Sequence, residues 1–389
     1  MSYEENIKKY YGIKFFQGLG FSGVIFILFL QANGLNYFQI MLLEAWFALM
    51  VLISLIPVGV VADLWSRKNI LLIGTITGVM GSIIYAISSS FVYFLIAEAF
   101  IGISMAITSG TTTSFIYESL KCATLQDMSK KVFSHGTFYF TLGGIIAPPI
   151  GSFVASAYSL RMPLYLSIIP SVINFFLVLM LEEPIRIKGI LKETFFENIK
   201  DAVKFIVKND LLRFILSINI VIALIFWMGE MYYQPYMQNV GIKIVLFGFI
   251  FAAINMASAI FSREAHWIEE SLGMKKTLII STLIPAIGYL AMALLFDPIV
   301  AVIGIAMIKV TNRFMEPVYA DYYNKLIGSK NRATINSFTG FVFTLSFVVI
   351  SPVLGHFSDV IGTPIVFLSF SVVAFLLTIY AGVKFINIK

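Results

Sequence analysis

The chain has 389 residues, 59% of them hydrophobic and only 12% charged, with 27 Lys and Arg against 21 Asp and Glu. A soluble core of this length cannot hide so much apolar surface, so a membrane protein is expected. Hydrocarbon offers no water to backbone groups, and the long apolar runs lack the period-two alternation of a barrel, which leaves helices.

In chain order, Lys8, Lys9 and Lys14 precede an apolar run to about residue 31, too long for a signal segment and read as a retained first span. Within it Gly18-Leu19-Gly20-Phe21-Ser22-Gly23 has the spacing of a dinucleotide fingerprint, but no strand precedes it and no helix opens at it. Small residues for helix contact are the better reading. Five further spans are expected at roughly 38–62, 70–90, 92–119, 132–158 and 162–181. The stretch 182–210 then breaks the hydropathy with Arg186, Lys188, Lys192, Lys200, Lys204 and Lys208. Its apolar residues Leu191, Phe195, Ile199, Val203 and Ile206 recur at helical spacing, which predicts an amphipathic helix on the membrane surface. Six more spans follow at roughly 211–239, 244–262, 276–296, 299–324, 333–357 and 364–385. The expected organisation is a six-helix bundle (1–181), a cytoplasmic linker (182–210) and a second six-helix bundle (211–389).

With both termini in the cytoplasm, 23 of the 27 basic residues face inward, Arg161 and Lys243 lie outside, and Lys309 and Arg313 sit inside a span. This bias predicts a plasma-membrane protein in that orientation, and the basic balance then requires no nucleic-acid partner. The two halves also echo each other. Ala147-Pro148-Pro149-Ile150-Gly151 in span five returns as Ser351-Pro352-Val353-Leu354-Gly355 in span eleven, at an offset of 204 residues. Tyr117-Glu118-Ser119-Leu120-Lys121 has a looser echo in Asp321-Tyr322-Tyr323-Asn324-Lys325.

Between spans two and three, Gly59, Asp63, Arg67 and Lys68 set a glycine, then an acid four residues on, then a base eight residues on. With the six-plus-six span pattern and basic central loop, this resembles the major facilitator superfamily over essentially the whole chain. The resemblance implies an all-α membrane protein of twelve helices in two pseudo-symmetric bundles, and a cytoplasmic gate latched by these four residues. Physically, Gly59 would permit close helix approach, Asp63 would pair across a closing interface, and the two bases would stay at the lipid headgroups. Gly143, Pro148 and Gly151 resemble the fifth-helix motif of the family's antiporters, although Ala147 and Ser152 stand where glycines are usual. The alternative is a bent packing helix with no bearing on the direction of transport.

An ionisable group inside a span is costly and marks function by default. Glu44, Glu98 and Glu230 fall in spans two, four and seven, and Lys309, Arg313 and Glu316 in span ten. The spacing puts the last three on one helix face, where protonation of Glu316 would free Arg313 for a ligand; a structural ion pair is the alternative. Glu230 sits among Phe226, Trp227, Tyr232 and Tyr233, which would suit a hydrophobic cation in a cavity or form an interfacial aromatic belt. The acids lead the list of proton carriers, and the sequence does not rank Glu44, Glu98 and Glu230.

The single cysteine, Cys122, permits no internal disulfide, and His135, His266 and His356 lack metal-ligand spacing, so neither cofactor nor metal is expected. No phosphate-binding loop, metalloprotease helix or nucleophile elbow is present, so an enzyme is not expected. The expected function is a monomeric secondary active transporter working by alternating access on a small organic molecule, through a cavity between the halves, with proton-coupled export favoured by the antiporter resemblance. An importer of a small nutrient or organic anion, bound by Lys309 and Arg313, is the main alternative. A transport-inactive membrane sensor is the third.

Overall fold

The computed structural model describes residues 3–185, 204–327 and 332–387, apart from the side chains at 56, 60, 62–64, 332, 333 and 385–387. The expected linker helix with Leu191, Phe195, Ile199 and Val203 lies outside these residues, as does the Asp63 side chain. The helices are α1 (Glu4–Gly18), α2 (Phe26–Ala32), α3 (Tyr37–Leu64), α4 (Arg67–Ile87), α5 (Phe91–Cys122), α6 (Ser129–Ala157) and α7 (Met162–Leu179). They continue with α8 (Asp210–Asn239), α9 (Ile244–Arg263), α10 (Ala265–Leu294), α11 (Pro298–Leu326), α12 (Arg332–Ile361) and α13 (Thr363–Asn387). No strand occurs among the described residues. Eleven of these helices are long and apolar enough to cross a membrane.

The first span is not the single helix expected from its hydropathy. It breaks at Leu19–Ile25, because glycines let α6 and this segment meet backbone to backbone. A Cβ on Gly143 would lie 2.5 Å from Phe15 O, and one on Gly151 only 2.0 Å from Phe21 O. Of the glycines in this run Gly18 lies against Phe140 O, whereas a Cβ on Gly20 would meet nothing within 4 Å. Ser22 N–H, released from the helical ladder, donates to Ser167 Oγ at 3.3 Å, so the break leaves that donor satisfied inside the bundle.

The chain forms two compact units. Unit 1 comprises Met1–Ile190 with Lys243–Ala252, and unit 2 comprises Leu191–Ile242 with Ala253–Lys389. In unit 1 a small-residue stripe on α4, Gly74, Gly78 and Gly81, fits against Ile107, Ser104 and Ile101 of α5. In unit 2 the corresponding pair, α10 and α11, meets at Gly288 and Gly304, where a Cβ on either would approach Gly288 or Gly304 carbonyl oxygen at 3.1 Å. The same correspondence holds elsewhere: α4 packs on α7 as α10 packs on α13, and α1 on α6 as α8 on α12. The 204-residue echo of the sequence therefore has a packing counterpart inside each unit.

Polar side chains settle the helix ends and crossings. Asn36 and Gln39 form a reciprocal capping box at the start of α3, and Asp297 accepts from Ile299 N and Val300 N at the start of α11. Ser371 Oγ donates to Ala286 O at 2.8 Å and Thr378 Oγ1 to Thr282 Oγ1 at 2.9 Å, tying α13 to α10. In α10, Gly273 adopts φ +75°, a left-handed conformation suited to glycine, and separates a short polar lead-in from the span. The spans leave many large apolar side chains bare, such as Ile87, Val92, Ile299 and Ile379, as lipid-facing helices require.

Candidate functional site

A cavity of about 590 Å³ lies inside unit 2. Helix α11 supplies most of it. Lys309, Asn312, Arg313, Glu316, Tyr319, Ala320, Tyr323 and Asn324 line the cavity, and their spacing of three or four residues is one stripe of a helix. Helix α8 adds Asn219, Phe226, Trp227 and Glu230, while α9 adds Asn255 and Ser258 and α12 adds Asn336.

Two acid–base pairs organise this space. Lys309 Nζ is ion-paired to Glu230 Oε1, with side chains only 17% and 23% exposed. The same Nζ lies 5.6 Å from the centroid of the Phe226 ring. Arg313 Nη1 meets Glu316 Oε2 at 2.7 Å, but these side chains are 61% and 66% exposed and face open space. The formal charges of the lining sum to zero. Between the pairs lie neutral donors and acceptors: the Asn219 amide donates to Tyr323 OH, and the Tyr319 and Tyr323 rings are nearly parallel at 6.2 Å.

The structure thus gathers Glu230, Lys309, Arg313, Glu316, Phe226 and Trp227 around one cavity. Tyr232 and Tyr233 stand apart from its lining and are fully packed. Tyr233 OH shares a 3.1 Å hydrogen bond with Tyr289 OH, and Tyr232 packs edge-on against Phe367 and Phe370. The sequence does not single out the asparagines and Ser258, because uncharged polar residues stand out less than charges in an apolar run. The eight-position stripe on α11 is the signal that finds two of them, Asn312 and Asn324.

Glu44 and Glu98 fall elsewhere, in a smaller cavity of about 250 Å³ inside unit 1, with Ser22, Ser82, Tyr85 and Ser167. Glu98 is 5% exposed and accepts a 2.5 Å hydrogen bond from Tyr85 OH. The three acids named from the sequence therefore belong to two separate places.

The α3–α4 connection shows a different arrangement from the one its charges suggest. Arg67 and Lys68 begin α4, and their backbone N–H groups donate to the Glu183 carboxylate at 2.9 and 2.8 Å. Ser66 Oγ also donates to it at 2.8 Å. A carboxylate on the positive end of a helix dipole is favourable. The Arg67 side chain turns to Glu118 Oε1 at 2.9 Å. No described atom lies within 4 Å of a Cβ placed on Gly59. Gly143 and Gly151, by contrast, are packing glycines against the α1–α2 segment, and within unit 1 Ser152 Oγ donates to Val245 O at 3.0 Å. Among the described residues no group of His, Cys, Asp and Glu could hold a metal ion.

The comparisons with known proteins agree with this architecture. Residues 11–350 match the model of the Major Facilitator Superfamily. An MFS-type transporter of Methanocaldococcus jannaschii is 27% identical over 266 residues, covering 66% of this chain and 66% of that one. Among solved structures, the nucleoside transporter NupG superposes with a TM-score of 0.81 at 15% identity, covering 99% of both chains. A bacterial homologue of the human lysosomal transporter Spinster gives 0.76 at 15% identity over 99% of this chain and 98% of that one. A POT family transporter in complex with 5-aminolevulinic acid gives 0.75 at 13% identity, over 97% and 96%. At these identities the solved structures speak for the fold, and the family match covers most of the chain: it belongs to the Major Facilitator Superfamily and is a multi-pass membrane protein with the fold of that superfamily's transporters.

Proposed function

We propose that the protein is a secondary active transporter that moves a small polar organic molecule across the plasma membrane by alternating access, working as a monomer with both termini in the cytoplasm. The observation that carries this reading is the unit 2 cavity, whose volume lies in the range of small-molecule sites and whose lining pairs balanced charges with amides and hydroxyls. A lipophilic cation fits it less well, because Glu230 and Phe226 already face Lys309. A simple organic anion also fits less well, since each base has its acid beside it.

Proton coupling is assigned to unit 1. Glu98, with Tyr85 donating to it and Glu44 on the same cavity, is a buried acid beside a hydroxyl through which a proton can pass. Export is the proposed direction, on the resemblance of Gly143, Pro148 and Gly151 to the antiporter motif. Gly59, Asp63, Arg67 and Lys68 are assigned to the gate, with Glu183 and Glu118 fixing the start of α4.

Purified protein in proteoliposomes with an imposed pH gradient tests the reading. Polar solutes are expected to move against the proton flow, with loss of flux on adding a protonophore or on Glu98→Gln. Movement of tetraphenylphosphonium in place of polar solutes would overturn the substrate class, and co-directional flux would make the protein an importer. Binding without flux would make it a sensor.

A further inference from the structure

We infer that the substrate is a zwitterion of the α-amino acid type, held by the Arg313–Glu316 pair; this rests on the reading of the unit 2 cavity as the substrate site. The two ion pairs of the cavity differ in a way that matters to a ligand. Lys309 and Glu230 are largely enclosed, and the Phe226 ring covers the ammonium group, so this pair is part of the wall. Arg313 and Glu316 lie one turn along the same helix with most of their surface open to the cavity.

An exposed pair at this spacing contributes little to holding itself together. It opens readily when a better partner arrives. Any ligand that fills the cavity also strips water from both charged heads, and the heads then need replacements of matching charge. A neutral ligand supplies neither. An anion satisfies Arg313 and leaves Glu316 facing a low-dielectric space, and a cation does the reverse. A molecule carrying one carboxylate and one ammonium group satisfies both and keeps the cavity neutral.

The geometry narrows the class further. The two heads are side by side, with Arg313 Nη1 and Glu316 Oε2 at 2.7 Å, which matches the adjacent ammonium and carboxylate of a free α-amino acid. The guanidinium fork takes a carboxylate through two parallel N–H groups, and the Glu316 carboxylate takes the ammonium. Asn219, Asn255, Asn312 and Asn336 remain for the rest of the molecule.

The test uses the full chain, in detergent for thermal stability and in proteoliposomes for counterflow. Four probes are compared: a pool of free amino acids, the same pool N-acetylated, the same pool C-amidated, and a neutral pool of nucleosides and hexoses. The free pool is expected to stabilise the protein and drive counterflow, with the two blocked pools at least tenfold weaker. Arg313→Gln and Glu316→Gln should each remove the response while leaving the ligand-free melting temperature unchanged. If the neutral pool acts, the free pool does not, and Asn312→Ala abolishes the response, the zwitterion inference fails while the cavity stands. If no pool acts, or if responses ignore Arg313→Gln, Glu316→Gln and Asn312→Ala alike, the inference fails together with the cavity reading.

Discussion

Replacing Glu230 by glutamine probes the wall of the cavity. The substitution keeps the shape of the side chain and removes one charge, so the Lys309 ammonium, 17% exposed, is left facing an amide. Breaking a buried pair from one side costs about 3–5 kcal/mol, and the neighbouring cavity admits some solvent, so about 2–3 kcal/mol is expected here. Lys309→Met alone should cost a similar amount by stranding Glu230. The double variant Glu230→Gln/Lys309→Met strands neither charge and should lie within about 1 kcal/mol of wild type. Reversible unfolding of the four proteins in micelles closes the cycle. Additive single effects would show that the pair is not a coupled unit and would refute the reasoning.

Arg161 donates through Nη1 to Ala86 O and Ser88 O and through Nη2 to Asn33 Oδ1 and Ser89 Oγ, and stands 5.1 Å from the Phe29 ring centroid. Arg161→Ala should lose about 2–4 kcal/mol in unfolding experiments, and Arg161→Lys should recover only part, since an ammonium cannot span the fork. Gly151→Ala should prevent normal folding, read as loss of a monodisperse peak in size exclusion, because its Cβ would lie 2.0 Å from Phe21 O. Gly59→Ala, with no described atom within 4 Å, should fold like wild type, so that any loss of flux there reports on gating. Glu183→Gln should raise hydrogen exchange in the first turn of α4 and cost about 1 kcal/mol, through weakened bonds to Ser66, Arg67 and Lys68.

Most of the helical architecture was legible because hydrocarbon leaves few choices: an apolar run of sufficient length must be a helix, and eleven runs are. The break at Leu19–Ile25 was not, since hydropathy is blind to a backbone that finds its hydrogen bonds in neighbouring helices, as Ser22 does with Ser167. Lys309, Arg313 and Glu316 were readable as one face because helical periodicity is local. The partner of Lys309 was not, because Glu230 lies 79 residues away and no local rule links them. Tyr232 and Tyr233 shared an aromatic stretch with Phe226 and Trp227, but they lie farther along α8, where its surface turns into the packing of unit 2.

The central claim is that the unit 2 cavity is the substrate site, and thiol protection tests it most directly. Ala320 is small, exposed and part of the lining, and Cys122 is the single native cysteine. In the Cys122→Ser background, Ala320→Cys should react with a maleimide, and a transported solute should slow that reaction with a half-effect at its transport affinity. Labelling that proceeds unchanged while the same solute is being transported would contradict the account.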